Sequence, residues 1–529
     1  MNFTASTIPL AATHQFSQLF LDYTSAAPQL QSFYSYTPDE DGCVKAASEL
    51  SYSEANRSVL AAEISRQYAA GAATLPQHLL EQLAQPGAYT ICTGHQLVLF
   101  GGPLFFVYKI LTTIKASRSV SLRLQQPVVP VFWMASEDHD IDEIRSVNLY
   151  GKTLSWNETG GGAVGHLRTD SLESMLAELE QVLGTAPGAP ELAAKLREIY
   201  APGQSLADAT RRFVHFLFGE NVLVLDADSA ELKRLFLPQL RAELETGIAQ
   251  PLVAESIAAL EANGYSAQVN PRAINLFYLG QNTRERIDRS GNDFLLAGSG
   301  RTIDRSTLLA ELEQHPERFS PNVVMRPLYQ QCILPNIAYI GGPGELAYWL
   351  EFRSFFEAQK ISFPVLLPRA FMLVVDKGTA GKLTKLQVQL PELFQQTDAL
   401  ISNYVKRTAG AELSFESEQE ALQEVFAAIT AKASAADATL RGAAESTLQQ
   451  IKNSIAALES KVLRAAKQKE ETSLDQIRKL REKILPGGIL QERSDNILPL
   501  LLRYGMDFIH SLEENISPGD HQFVVLTEQ

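Results

Sequence analysis

The stretch VVPVFWMASEDHDIDEI, residues 128–144, decides the fold. Its first half, Val128 to Trp133, is apolar at every position and rich in β-branched and aromatic residues. Such a run predicts a strand buried on both faces, as in a parallel sheet. Its second half sets Glu137, Asp138, Asp140, Asp142 and Glu143 around His139. Ligands of open α/β sheets bind beyond the carboxyl ends of the strands, so chemistry is expected here. Carboxylates this close repel one another, and some must be paired, neutralised or bound to a cation.

Working outward, AYTICTG (88–94) reads as a second strand and GPLFFVYKILTTIKASRSV (102–120) as the helix that joins the two. Strand, helix, strand is a βαβ unit, because parallel strands need a long crossover. NVLVLDAD (221–228) is a third core strand, ending in Asp226 and Asp228. NIAYIGG (336–342), running into a helical PGELAYWLEFRSFFEAQ, and FPVLLPRAFMLVVD (363–376) continue the alternation. The fold class is therefore α/β, a mostly parallel, doubly wound, Rossmann-like core. SLESMLAELEQVLG and PELAAKLREIY read as helices, and INLFYLGQNTRERIDRSGNDFLLAG as a hairpin, within material set into that core. From about 390 to 485 the chain turns helical, and Leu448, Ile451, Ile455, Leu458 and Val462 keep a coiled-coil spacing that slips near Lys469. That stripe reads as a packed amphipathic helix, a helical hairpin or a dimer seam.

Composition narrows the function classes. The 529 residues are 45% hydrophobic and carry a net charge of −15. No Lys/Arg run with interleaved aromatics offsets that charge, so nucleic acid is not the expected partner. No apolar run reaches the roughly 20 residues of a membrane span. No secretory signal is evident. Cys43, Cys92 and Cys332 are far apart, which argues against structural zinc and fits a reducing cytosol. A cytoplasmic location is expected.

Three polar clusters follow strands. In TGHQLVLFGGPLF (93–105), Thr93, Gly94, His95 and Gln96 precede Gly101-Gly102-Pro103 at a helix start. Free N–H groups there favour phosphate or carboxylate, and His95 could steady charge on a transferred group; a plain glycine turn is the alternative. Lys109 reads as either a snorkelling surface lysine or a ligand contact. In the acidic cluster, Glu137, Asp138, His139 or Asp140 could act as a general base, bind an ammonium, or share a Mg²⁺ ion with a nucleotide's phosphates. Asp142 and Glu143 suit the capping of the next helix. In NIAYIGGPGELAYW (336–349), Gly341, Gly342 and Gly344 repeat the glycine device, with Tyr339, Glu345, Tyr348 and Trp349 as lining or core residues. Arg326 and Arg369 are candidates for clamping an anion, or partners for the acidic cluster. GxSxG, P-loop, HExxH and first-turn GxGxxG motifs are all missing.

Four motifs, TGHQLVLFGGPLFFVYKILTTIK, PVVPVFWMASEDHDIDEI, MRPLYQQCILPNIAYIGGPGELAYW and LRYGMDFIHSLEE, together resemble the BshC family, the cysteine ligases of bacillithiol biosynthesis. The likeness covers nearly the whole chain in the same motif order. One departure is His95, where the family pattern is expected to carry Gln. The resemblance implies a core like that of class I nucleotidyltransferases, over about 1–385, with connecting insertions at about 155–218 and 262–320. It implies a coiled-coil domain over 386–529 that supports a homodimer and whose last segment returns to the core. The implied reaction joins the carboxyl of cysteine to the amine of glucosaminyl-malate, and ATP or another nucleotide is the expected activator. In that reading the phosphates lie over Gly101-Gly102 and the second glycine turn. His95 and Gln96 steady the transferred group, and a member of the acidic cluster takes the proton. A metal-dependent hydrolase and a non-enzymatic nucleotide-binding scaffold stay open as alternatives.

Overall fold

Every residue of the strand Val128–Met134 is buried, as its composition requires. The computed structural model describes residues 3–408 and 415–529. In chain order, the elements that build the site are β1 (Tyr89–His95), α1 (Phe105–Leu124), β2 (Val128–Met134), α2 (Leu206–Phe218), β3 (Leu223–Asp226), α3 (Ala230–Leu235), α4 (Met325–Ile333), β4 (Asn336–Gly341), α5 (Pro343–Trp349) and β5 (Val365–Pro368). The strands pair side by side as β5-β4-β1-β2-β3, all parallel. The strand order reverses between β1 and β4, and such a switch point opens a crevice at the carboxyl ends.

β2 contains a proline, which cannot donate to a ladder. Pro130 is opposite Ile91 of β1, but the pairing with β3 begins one residue later, at Val131 with Leu223. The proline thus occupies the part of β2 that has a neighbour on one side only. On one face, Ala116 and Val120 of α1 and Cys43, Ala46 and Ala47 of the helix Glu40–Glu49 pack over Ile91, Val128, Ile337 and Val365.

Between β3 and β4 the chain forms a second, antiparallel sheet, where the sequence predicts only a hairpin. Its strands run in the order Arg301–Ile303, Asp293–Leu296, Arg284–Ser290, Leu276–Leu279, Phe319–Pro321. The outer two have three residues each, too few to show a period of two in the sequence.

Two compact units divide the chain: one is built mainly from Gln15–Leu373 with Gln491–Leu526, the other from Val374–Leu490. In the second unit the helices Glu416–Ala436 and Leu440–Lys469 form a hairpin whose turn is tightened by Asp437 Oδ1 accepting from Thr439 N–H (2.8 Å). The slip of the apolar stripe at Lys469 is a helix end, and Glu471–Ile484 starts a new helix that buries Leu474, Ile477, Leu480 and Ile484. The longest helix, by contrast, buries none of its residues, and Leu458 is 54% exposed. No helix among the described residues is long and apolar enough to cross a membrane.

Back in the first unit, Glu492 is wholly buried and pairs with Arg369, which is also buried, at 2.5 Å. The other oxygen of Glu492 accepts from Met372 N–H (3.1 Å). Breaking such a pair strands a charge and costs about 3–5 kcal/mol, whereas replacing both partners with apolar residues is often neutral. Glu492→Ala is expected to lower the chemical-denaturation stability by that amount, and Arg369→Met/Glu492→Leu to recover most of it.

Candidate active site at the strand ends

One cavity of about 550 Å³ opens beyond the carboxyl ends of β1, β2 and β4. The three sequence clusters meet in it: Gly94 and His95 at the end of β1 with Gln96 just beyond, Glu137 and Asp138 after β2, and Gly342, Gly344 and Glu345 after β4. Tyr339, Lys109, Arg326 and Arg369, also among the expected residues, stand on its walls.

Lys109 is no snorkelling residue. It is 2% exposed, its ammonium donates to the Gly94 carbonyl, and it meets both oxygens of Glu345 at 2.8 and 2.7 Å. Glu345 also accepts from Tyr339 Oη–H (2.6 Å) and from Gly342 N–H (2.9 Å). Burial works against that carboxylate, but Lys109 and these donors hold its pKa at about 2. Burial pulls the Lys109 pKa down, opposed by Glu345. The ion pair ties the end of β1 to the start of α5.

His95 is a neutral imidazole. Burial, with the nearby Lys109 charge, drops its pKa to about 4. Its Nδ1 must carry the proton, because its 2.9 Å partner is the Gln96 carbonyl. Nε2 is thus an acceptor, and His95 brings no positive charge to the cavity. Gln96 donates to Asp138 Oδ2 (2.6 Å), while its buried Oε1 has no partner.

The acidic cluster splits in two. Glu137 lines the cavity against the ammonium of Lys233, and burial pushes its pKa up to about 7. Asp138 accepts from Gln96, from His139 N–H (2.7 Å) and from Arg284 Nη1 (3.1 Å). Burial opposes its charge, but Arg284 and these bonds lower its pKa. His139 and Asp140 do not line the cavity. His139 is half exposed and accepts from Arg284 on Nδ1 (2.9 Å). Asp140 caps a short 3₁₀ turn by accepting from Asp142 N–H (3.1 Å). Glu143, expected to be the cap, lines the cavity instead. The turn reverses the direction of successive side chains, which spacing alone does not reveal.

Several binding residues take structural places. Thr93 is fully buried and its hydroxyl donates to the Ile340 carbonyl (2.8 Å), which joins β1 to β4. Gly101 and Gly102 do not line the cavity. A side chain at Gly102 would fall 2.8 Å from Val98, and one at Gly101 2.9 Å from Phe213. Both have positive φ, and the Gly102 N–H is spent on the Leu99 carbonyl (2.9 Å). They form a packed turn, not an anion cradle. Gly341 leaves room for Leu346, since a Cβ there would approach it to 2.6 Å. Trp349 is fully buried and stacks on Tyr339 with ring centroids 4.8 Å apart.

The two arginines differ. Arg369 is held by Glu492, not by the acidic cluster, and its Nε is buried without a partner. Arg326 lies over the Tyr339 ring (5.6 Å), with Gln330 Oε1 at 3.1 Å and Tyr348 Oη at 3.5 Å. Among the described residues its side-chain partners are thus neutral, and it lines the cavity. Sequence reasoning missed Arg284, Ser136, Arg493 and Lys233. Arg284 reaches Asp138 from 146 residues away and stacks on Phe277 (3.9 Å). Nothing local marks it.

Residues 3–370 match the model of the N-terminal Rossmann-like domain of bacillithiol biosynthesis BshC, and 372–528 match that of its C-terminal coiled-coil domain. The chain belongs to the BshC family. Relatives named "Putative cysteine ligase BshC" include those of Cytophaga hutchinsonii (35% identical; 98% of this chain, 97% of the relative), Flavobacterium johnsoniae (35%; 97% of each) and Salinibacter ruber (33%; 98% and 97%). The BshC match spans both units and every segment that lines the cavity.

Because the Glu345 pKa is depressed in the folded state, its contribution to stability is complete above the unfolded value near 4.5 and lost as pH falls toward 2. Acid denaturation of the wild type is expected to be steeper between about pH 4.5 and 2 than that of Glu345→Gln, measured by circular dichroism.

Proposed function

We propose that the chain joins the carboxyl of cysteine to the amine of glucosaminyl-malate, with the carboxyl activated by a nucleotide. The observation that carries this reading is the polarity of the cavity. Lys109, Arg284, Arg326, Arg369 and Arg493 stand on its walls as cations, and Glu137, Asp138, Glu143 and Glu345 as carboxylates. Glu345 pairs with Lys109, Asp138 with Arg284 and Glu492 with Arg369, which leaves Arg326 and Arg493 as one set and Glu137 and Glu143 as the other to meet reactants. Anionic groups suit the first set and an ammonium the second, so an acid and an amine can be held in one place. Holding both reactants together supplies up to roughly 7–11 kcal/mol of a barrier.

The packed turn at Gly101-Gly102 does not fit phosphates, so that part of the expected nucleotide site is abandoned. Arg326, with no carboxylate partner, and Arg493 are better suited to meet a phosphoryl or carboxylate group. A Mg²⁺ ion would come with the phosphates, and Glu143, a carboxylate on the cavity wall, would help to hold it. Glu137 is the base we assign, because a pKa near 7 matches proton transfer at neutral pH. Asp138, held by Arg284 and Gln96, positions Gln96. A core of the class I nucleotidyltransferase type is the ancestry this reading favours.

Mass spectrometry of protein with glucosaminyl-malate, cysteine and ATP is expected to show the thiol amide product; its absence would refute the ligase reading. Glu137→Gln is expected to lower kcat about 10²–10⁴-fold. Arg326→Met is expected to raise KM for an anionic reactant about ten- to a hundredfold, the worth of a charged hydrogen bond.

We further assign the half-buried apolar stripe that contains the exposed Leu458 to a second copy of this chain. Leu458→Asp is expected to convert a dimer to a monomer in sedimentation velocity; a wild-type monomer would contradict it.

A further inference from the structure

Behind the acidic wall stands a lysine with no role in binding. Lys233 lies on α3, the helix after β3, and is fully buried. Its ammonium contacts Glu137, lies 3.5 Å from Asp228 Oδ1, and donates to the Glu317 carbonyl at 2.9 Å. Asp228 in turn meets His166 Nε2 at 2.7 Å through its other oxygen, and the His166 side chain is 68% exposed. Asp226 beside it accepts from Ser136 Oγ and from Asp228 N–H (3.0 Å). Arg284 faces Glu137 from the antiparallel sheet and Tyr329 from α4.

A buried ammonium is costly unless it is paired and hydrogen-bonded. Here it is shared by two carboxylates, of which only Glu137 borders the cavity. The other, Asp228, has His166 as a second partner. Lys233 is therefore the closest counter-charge of the cavity carboxylate, and it does not itself line the cavity.

We propose that Lys233 is a positioning residue that keeps Glu137 ionised and turned toward the cavity, ready to take the proton of an attacking amine. This rests on the ligase reading above. In the step it serves, a C–N bond forms and the bond from the acyl carbon to its phosphoryl-type activating group breaks. The electron pair leaves on that group, and the amine proton passes to the Glu137 carboxylate. A lysine that only stabilised the fold would still shift the titration of Glu137 but would leave the acid limb of kcat/KM unmoved.

The test follows the Glu137 carboxyl by ¹³C NMR of glutamate-labelled protein, its resonance assigned by loss in Glu137→Gln. Lys233→Met is expected to raise the titration midpoint by about one pH unit or more, since the stabilised charged form is lost. The acid limb of kcat/KM is expected to move up by the same amount, and Lys233→Arg to restore both. Where Lys233→Met does not fold, Lys233→Met/Asp228→Asn removes the second stranded carboxylate. Its Glu137 midpoint is still expected above the wild-type value, because Lys233 acts on Glu137 more strongly than Asp228 does. An unchanged midpoint overturns the proposal, as does a shifted midpoint with an unmoved acid limb. The NMR arm needs no reaction, so a wild type that forms no product refutes the ligase reading, while the midpoint still decides whether Lys233 controls Glu137.

Discussion

The site depends on one buried ion pair. Lys109 projects from α1 into the switch point between β1 and β4, where it bonds the Gly94 carbonyl and both oxygens of Glu345. Glu345 then fixes Tyr339 and the Gly342 N–H. Two strand ends and two helix starts are thereby joined through a single ammonium. A lone ion at this depth would be expelled or neutralised, so neither partner is tolerable without the other. The crevice that the strand order opens is held in shape by this pair, and the polar walls are built around it.

From that frame the cavity gains its two characters. The side at β2 and β3 collects carboxylates because two neighbouring strands both end in acidic residues, Glu137 and Asp138 on one, Asp226 and Asp228 on the other. They coexist because Lys233, Arg284, Ser136 and His166 each take a share. The side at β4 and β5 collects the arginines, with Glu345 set against Lys109, and there Arg326 has only neutral side-chain partners among the described residues. His95 contributes as an acceptor, which fits a pattern where the family is expected to carry an uncharged Gln.

Much of this was legible in the sequence. Continuous apolar runs such as Val128 to Trp133 can only be strands covered on both faces, so the parallel core followed directly. The polar residues after each run had to meet at one rim because parallel strands share a carboxyl end. The stripe from Leu448 to Val462, broken at Lys469, located a helix and its end. What was hidden is tertiary. Gly101 and Gly102 look like an anion cradle, yet Val98 and Phe213 fill the space that their missing side chains leave. Asp140 and Glu143 exchanged roles because a 3₁₀ turn, not a helix, follows the strand. Arg284 and Lys233 were invisible because their partners lie 146 and 96 residues away in sequence, counted from Asp138 to Arg284 and from Glu137 to Lys233.

The most direct test of the central claim is a crystal structure of the protein with glucosaminyl-malate. The account predicts its amine beside Glu137 and an anionic group on Arg326, within the crevice between β1 and β4. Ordered density for the compound anywhere else, with that crevice empty, would contradict it.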